Sequence, residues 1–112
     1  MRFQVSILFK VLGVGGFLLI FSHALQAGPA SSGGDLFKEK CSICHGVDGK
    51  GYAALKTPDF TDPKVQASLT DKEIVDAIKN GRKGTAMPAF GDKLSDEQIH
   101  SLVTYIRSLK QK

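Results

Sequence analysis

Residues 41–45 of this 112-residue chain read Cys41-Ser42-Ile43-Cys44-His45. On a helix, cysteines three positions apart lie on the same face, so both thiols can reach one flat group. His45 follows directly and can bring an imidazole nitrogen to a metal at the centre of that group. Because the sequence contains only 2 cysteines, its thiol chemistry is confined to this pentapeptide.

Several kinds of site use a C-x-x-C spacing. The form followed by His is the attachment pattern of c-type haem, in which both sulfurs form thioethers with the porphyrin. A thioredoxin-like dithiol is expected near a βαβ pattern, which this sequence lacks. A structural zinc site needs four ligands, and only Cys41, Cys44, His45 and His100 are candidates. A structural disulfide is the remaining alternative in an exported protein. The pattern favours haem bound through Cys41 and Cys44, with His45 as an axial iron ligand.

Met87 is predicted to be the second axial ligand. It lies in a Gly-Pro stretch between two predicted helices, whereas a methionine that fills the core is expected on an apolar helical stripe. A thioether is a suitable sixth ligand, and the His/Met pair raises the reduction potential of haem iron. Packing within the loop is the alternative role for Met87. His100 falls off the apolar stripe of its helix and is predicted to be a solvated surface residue.

The first 27 residues are predicted to be a signal peptide. Arg2 and Lys10 form the positive part, and residues 11–21 are mostly apolar. The more polar segment that follows offers two possible cleavage sequences, ending at Ala24 and at Ala27, of which Ala27 is favoured. An uncleaved membrane anchor is the alternative, but a span needs about 20 apolar residues. Cleavage after Ala27 leaves 85 residues and lowers the formal charge from +4 to +2. The basic charge is therefore partly a targeting feature and does not indicate nucleic-acid binding, whereas export predicts a periplasmic location.

The mature part is predicted to contain one domain. With 42% hydrophobic and 23% charged residues, the composition excludes a disordered tail, a collagen-like fibre and a multi-span membrane protein. Residues 28–34 are predicted to be a flexible leader and residues 35–112 the domain. Residues 46–68 hold several Gly and Pro and show no sustained period, so they are predicted to be mainly loop. So much loop around so small a core is expected when a cofactor adds buried surface.

The helical signals are strongest in the second half of the chain. Thr70-x-x-Glu73 and Ser95-x-x-Gln98 are capping boxes that begin two predicted helices. The last helix then carries an apolar stripe at positions i, i+3, i+4 and i+7: Ile99, Leu102, Val103 and Ile106. A short helix is predicted around the cysteines, and no strand is predicted. The expected fold class is all-α, with three to four short helices.

With its motifs in this order, nearly all of residues 33–112 resembles the small class I c-type cytochromes of bacterial periplasms. Gly33 and Phe37 lie eight and four residues before Cys41, where that family packs its first helix against its last. Leu102 and Tyr105 match the partner positions on the last helix. The resemblance implies a small cytochrome c fold whose helices surround one covalently bound haem.

The resemblance also implies a function. The expected protein is a soluble, exported, monohaem electron carrier between redox proteins of a respiratory or photosynthetic chain, and not an enzyme. Iron held by both His45 and Met87 has no open site for a small-molecule substrate. Membrane oxidoreductases are the expected partners, nucleic acid is not, and a monomer is expected. Two alternatives are an enzyme or sensor in which peroxide, CO or NO displaces Met87, and a structural subunit that only holds haem.

Further residues receive roles by the same resemblance. The carbonyl of Pro58 is expected to accept a hydrogen bond from His45 and fix the ring. Tyr52, Lys56 and Arg82 are the candidates for contact with the haem propionates. Six lysines are candidates for a basic rim that steers acidic partners, with plain solvated surface as the alternative: Lys38, Lys40, Lys50, Lys79, Lys83 and Lys93.

Overall fold

The computed structural model describes residues 31–111. The predicted signal peptide, residues 1–27, lies outside the described residues, as does the beginning of the predicted leader. Between residues 31 and 111 the chain forms helices, turns and loops and contains no strand, which confirms the all-α prediction.

The N-terminal helix carries the cysteine motif in three consecutive segments. These are α1 (Gly33–Leu36), a π-helical segment (Phe37–Cys41) and α2 (Ser42–His45). Ser32 caps the start, because its Oγ accepts a hydrogen bond from the backbone N–H of Asp35 at 3.2 Å. The helix thus begins at Gly33, two residues before the predicted start of the domain at residue 35.

The segment predicted to be mainly loop contains two short helices. They are a 3₁₀ turn (Ala53–Leu55) and α3 (Pro63–Ser68). Asp62 caps α3 by accepting a hydrogen bond from the N–H of Lys64 at 2.8 Å, and Pro63 is at the first helical position. The remainder of residues 46–68 is turn and loop, as predicted, whereas α3 was not predicted because a six-residue helix is too short to show an apolar period.

Two longer helices complete the described fold, α4 (Asp71–Asn80) and α5 (Asp96–Ser108). Both predicted capping boxes are present. The Thr70 hydroxyl accepts from the N–H of Glu73 at 3.1 Å, and the Glu73 carboxylate accepts from the N–H of Thr70 at 2.7 Å. Ser95 and Gln98 form the same reciprocal pair at the start of α5.

The N-terminal helix crosses α5, as the family resemblance implies. A Cβ at Gly33 would lie 2.0 Å from the carbonyl oxygen of Ser101, so only glycine fits between these backbones. One turn further along, the Phe37 and Tyr105 rings lie 5.3 Å apart, and Phe37 and Leu102 are 0% exposed. This crossing fixes the orientation of the N-terminal helix and therefore the position of the cysteine motif at its C-terminal end. Among residues 31–111, no helix is both long and apolar enough to span a bilayer.

Candidate functional site

Two adjoining cavities, of about 410 and 380 Å³, open beside the cysteine motif. They share the following lining residues and together form one cleft: His45, Pro58, Leu69, Arg82 and Met87. Cys41 lines the first cavity and Cys44 the second. The structure thus brings all four predicted site residues, Cys41, Cys44, His45 and Met87, to the same cleft.

His45 ends α2 and places its imidazole against aromatic rings. The Phe60 ring stacks on it with the centroids 5.1 Å apart and the planes inclined by 20°, and the Phe37 ring lies at 6.3 Å. Burial lowers the pKa of the His45 imidazole below its usual value. The ring is therefore neutral at neutral pH, which is the form that binds a metal. Its Nδ1 is buried and has no hydrogen-bond partner among the described residues.

The expected hydrogen bond between His45 and the Pro58 carbonyl is not formed in this structure, so that expectation was wrong here. Pro58 lines both cavities beside His45. Its carbonyl oxygen, however, lies against Gly51, where a Cβ would approach it to 2.8 Å. Gly51 is itself held close by its N–H, which donates to the His45 carbonyl at 2.8 Å. The orientation of the imidazole therefore depends on the ring packing described above.

Cys41 and Cys44 are both free thiols. Burial raises the pKa of the Cys41 thiol to about 11, and only the Lys40 ammonium opposes this effect. A redox-active dithiol requires the opposite shift, because its attacking sulfur must be a thiolate. The partly buried Cys41 thiol therefore lacks the thiolate character that a redox-active dithiol needs.

The predicted zinc alternative lacks a ligand set in the described part of the chain. Residues 31–111 contain no group of three or more His, Cys, Asp or Glu side chains placed to hold a metal ion. His100 is exposed on α5, and its Nδ1 donates to the Asp96 carbonyl at 2.7 Å. The prediction that His100 is a surface residue is confirmed.

Met87 is held in place by its own loop. Its carbonyl accepts a hydrogen bond from the N–H of Arg82 at 3.3 Å, and its N–H donates to the Thr85 hydroxyl at 3.2 Å. Gly81 ends α4 with φ +69°, and a Cβ there would lie 2.7 Å from the Met87 carbonyl oxygen. Beyond Met87, the N–H of Phe90 donates to the carbonyl of Ile78 at 2.8 Å and returns the chain to α4. Met87 packs against the core from this loop and lines both cavities.

The residues of the cleft fit a covalently attached haem. A neutral imidazole and a thioether are an established axial pair for haem iron, and two thiols lie beside them. The buried Nδ1 of His45 has no hydrogen-bond partner among the described residues, which costs free energy. Iron binding by the same imidazole would offset this cost, so the burial of the ring fits a haem site. Phe60 and Leu69 line the cleft too, although neither lies in a stretch whose pattern could have indicated it.

Only some of the residues predicted to contact the haem propionates or to form the basic rim lie at the cleft. Arg82 lines both cavities and Lys56 lines the second, whereas Tyr52 lines neither. None of the six candidate rim lysines lines the cleft. Lys79 pairs with Asp96 at 2.7 Å and Lys40 with Glu39 at 3.1 Å.

Comparison with known proteins identifies the relatives of this chain. The family model described as cytochrome c oxidase, cbb3-type, subunit III matches residues 28–106. Cytochrome c6 of Rippkaea orientalis is 32% identical over 107 residues, which are 95% of this chain and 92% of that protein. Cytochrome c6 of Gloeothece citriformis is 38% identical over 87 residues, 77% of this chain and 76% of that one.

A second group of relatives is much longer. The cbb3-type cytochrome c oxidase subunit FixP of Azorhizobium caulinodans is 38% identical over 80 residues, or 71% of this chain. The match covers only 27% of FixP, so this chain corresponds to about a quarter of that subunit.

Solved structures agree with the sequence relatives. The KustC0563 c-type cytochrome superposes with a TM-score of 0.67 at 32% identity, over 72% of this chain and 100% of that one. Cytochrome cL from Hyphomicrobium denitrificans superposes with a TM-score of 0.59 at 28% identity, over 70% and 46% of the two chains. The family match, the two c6 relatives and these folds show that the chain belongs to the c-type cytochromes, a family of electron-transfer proteins that bind haem c covalently.

Proposed function

We propose that this chain is an exported c-type cytochrome that binds one haem and carries single electrons between protein partners. One observation carries the proposal. The two thiols and the imidazole come from residues 41–45 and the thioether from Met87, 42 residues after His45, yet all four side chains line the same cleft. Cys41 and Cys44 are the proposed thioether positions, and His45 and Met87 the proposed axial ligands. When bound, haem supplies the one-electron couple between ferric and ferrous iron.

The chain's own residues favour the reduced form. A neutral imidazole adds no charge, and a thioether is a soft ligand that raises the potential of the iron. The walls contributed by Phe37, Phe60 and Ile106 are apolar and keep water away from the ligands. Arg82 adds a positive charge at the border of both cavities, which favours the state with one more electron.

Two protein ligands on the iron also argue for transfer rather than catalysis. If His45 and Met87 both bind, no coordination position is left for a substrate, so the proposed protein is not an enzyme. Its partners are then proteins that exchange electrons across a surface near the cleft. Leu55 lines the second cavity and is 51% exposed, which makes this side of the cleft an apolar contact for such a partner. We propose membrane oxidoreductases as partners, a monomeric state and a periplasmic location.

The proposal is tested on protein produced with a c-type haem maturation system. Intact mass should show a single haem that stays attached under denaturing conditions, and a redox titration should follow a one-electron curve. Cys41→Ser and Cys44→Ser should each lose one thioether, whereas Ser42→Ala, between them, should lose none. Reduced wild-type protein should not bind CO. A second haem per chain, or rapid CO binding, would contradict the proposed carrier.

A further inference from the structure

Gln66 is a buried polar residue whose side chain connects three parts of the fold. It lies in α3 and is 5% exposed. Its Nε2 donates to the backbone carbonyls of Phe60 at 2.7 Å and of Ile106 at 2.8 Å. Its Oε1 accepts from Nη1 of Arg107 at 2.9 Å. Both donors and the acceptor of the amide are therefore satisfied inside the protein.

Arg107, on α5, holds this amide in one orientation. Its Nη1 also donates to the backbone carbonyl of Gln66 at 2.7 Å, and its Nη2 to the carbonyl of Leu69 at 2.6 Å. Its Nε pairs with the Asp71 carboxylate at 2.8 Å. Because the guanidinium binds both the side chain and the backbone of Gln66, the Oε1 of Gln66 faces Arg107 and its Nε2 faces the two carbonyls.

The two carbonyls belong to residues that wall the cleft. Phe60 and Ile106 both line the cavity that His45 lines. Phe60 is the ring stacked on the imidazole at 5.1 Å. Its backbone is fixed on both sides, since its N–H donates to the Gly49 carbonyl at 2.8 Å and its carbonyl accepts from Gln66. The stacking of Phe60 on the imidazole is therefore a packing restraint on the ring of His45.

We propose that Gln66, oriented by Arg107, is a positioning residue that keeps Phe60 packed on His45 and thereby sets the reduction potential of the iron. The inference rests on the proposed function, in which His45 is an axial ligand. Loss of the packed ring admits water beside the ligand. Water stabilises the more highly charged ferric state, so the midpoint potential falls.

Gln66→Met tests the inference, because it nearly conserves volume and removes all three side-chain hydrogen bonds. We expect a lower midpoint potential and displaced ring-proton NMR signals of His45 in the ferrous protein. Gln98→Met is the matched control. It makes the same chemical change on α5, loses the bond from the Ser95 N–H at 2.9 Å and lines neither cavity. The control should lose stability with no change in potential.

A double-mutant comparison asks whether Gln66 acts through Phe60. In a Phe60→Leu background, the stacked ring is already absent, so Gln66→Met should change the potential much less than in the wild type. Equal shifts in both backgrounds would overturn the inference, as would a Gln66→Met protein that is destabilised but keeps its potential and its His45 signals. If Gln66→Met does not fold, Arg107→Lys, which loses the forked contact to Gln66, carries the same expectations. These outcomes differ from a failure of the proposed function, in which the spectrum of the wild-type protein itself would lack His/Met ligation.

Discussion

Gly33 of α1 lies directly against the backbone of Ser101 in α5, where a Cβ would come within 2.0 Å of the carbonyl oxygen. The two helices can cross this closely only because position 33 has no side chain. One turn along the N-terminal helix, the Phe37 ring packs near both Tyr105 and His45, with centroids 5.3 and 6.3 Å apart. The helix crossing therefore also sets the position of the proposed iron ligand.

Gly33→Ala should destabilise the fold by about 3 kcal/mol, because the added methyl group meets a backbone oxygen that cannot move independently of α5. Gly34→Ala is the matched control. Its Cβ would lie 3.1 Å from the Tyr105 ring, which is a side chain and can shift. Alanine also gains up to about 1 kcal/mol of helix propensity over glycine there. Denaturant unfolding followed by circular dichroism measures both variants, and equal stabilities would show that the crossing is less tight than described.

Gly81→Ala should disturb Met87 without unfolding the helices. Gly81 has φ +69° and ψ −172°, a conformation that only glycine adopts easily and that costs another residue about 1–3 kcal/mol. The new methyl group would also meet the Met87 carbonyl at 2.7 Å. We expect the ferric spectrum to show weakened thioether ligation. Gly84 also has a positive φ, of +76°, but a Cβ there would meet no atom within 4 Å. Gly84→Ala therefore introduces backbone strain alone and should keep Met87 as a ligand.

The second half of the fold was predictable because its signals are local. A capping box specifies a helix start within four residues, and both Thr70 with Glu73 and Ser95 with Gln98 form theirs. The stripe of α5 is buried as its spacing indicates, with Ile99 1% exposed. In α3 the start was also encoded locally, by Asp62 followed by Pro63, but a six-residue helix has too few positions to show a period.

The residues proposed as ligands are indicated by the sequence, whereas the residues that wall the cleft are not. Cys41, Cys44 and His45 form a contiguous motif, and Met87 stands out because it lies in a loop. Gln66 could not be identified, since its partners, Phe60, Ile106 and Arg107, are up to 41 residues away and meet it only in three dimensions. The absence of a hydrogen bond between His45 and the Pro58 carbonyl could not be predicted either, because it depends on how two separate segments pack.

Acid should weaken the fold partly through Asp59. Its carboxylate accepts hydrogen bonds from the hydroxyl of Thr61 at 2.6 Å and from the Thr61 N–H at 2.8 Å, which hold its pKa below the ordinary 3.8. The folded state thus favours the ionised form. This contribution is complete above pH 3.8 and is lost as the pH falls through the lower, folded-state value.

Thr61→Val removes the hydroxyl donor, so the pKa of Asp59 should rise toward its ordinary value and part of the acid sensitivity should disappear. NMR titration of the carboxyl carbon and urea unfolding between about pH 5 and pH 2 measure the two effects. Thr104→Val makes the same change where the hydroxyl bonds only the His100 carbonyl, at 3.1 Å, and should leave both quantities unchanged. An unshifted Asp59 pKa in Thr61→Val would mean that this hydroxyl does not stabilise the carboxylate.

His45 and Met87, from two distant parts of the sequence, are the proposed ligands of the same iron. The most direct measurement is the ferric absorption spectrum and midpoint potential of Met87→Ala beside wild type, with His100→Ala as a control on an exposed α5 residue. Met87→Ala should lose the weak charge-transfer band of thioether ligation and should have a lower potential, whereas His100→Ala should match the wild type. A Met87→Ala protein with an unchanged low-spin spectrum and an unchanged potential would contradict the account.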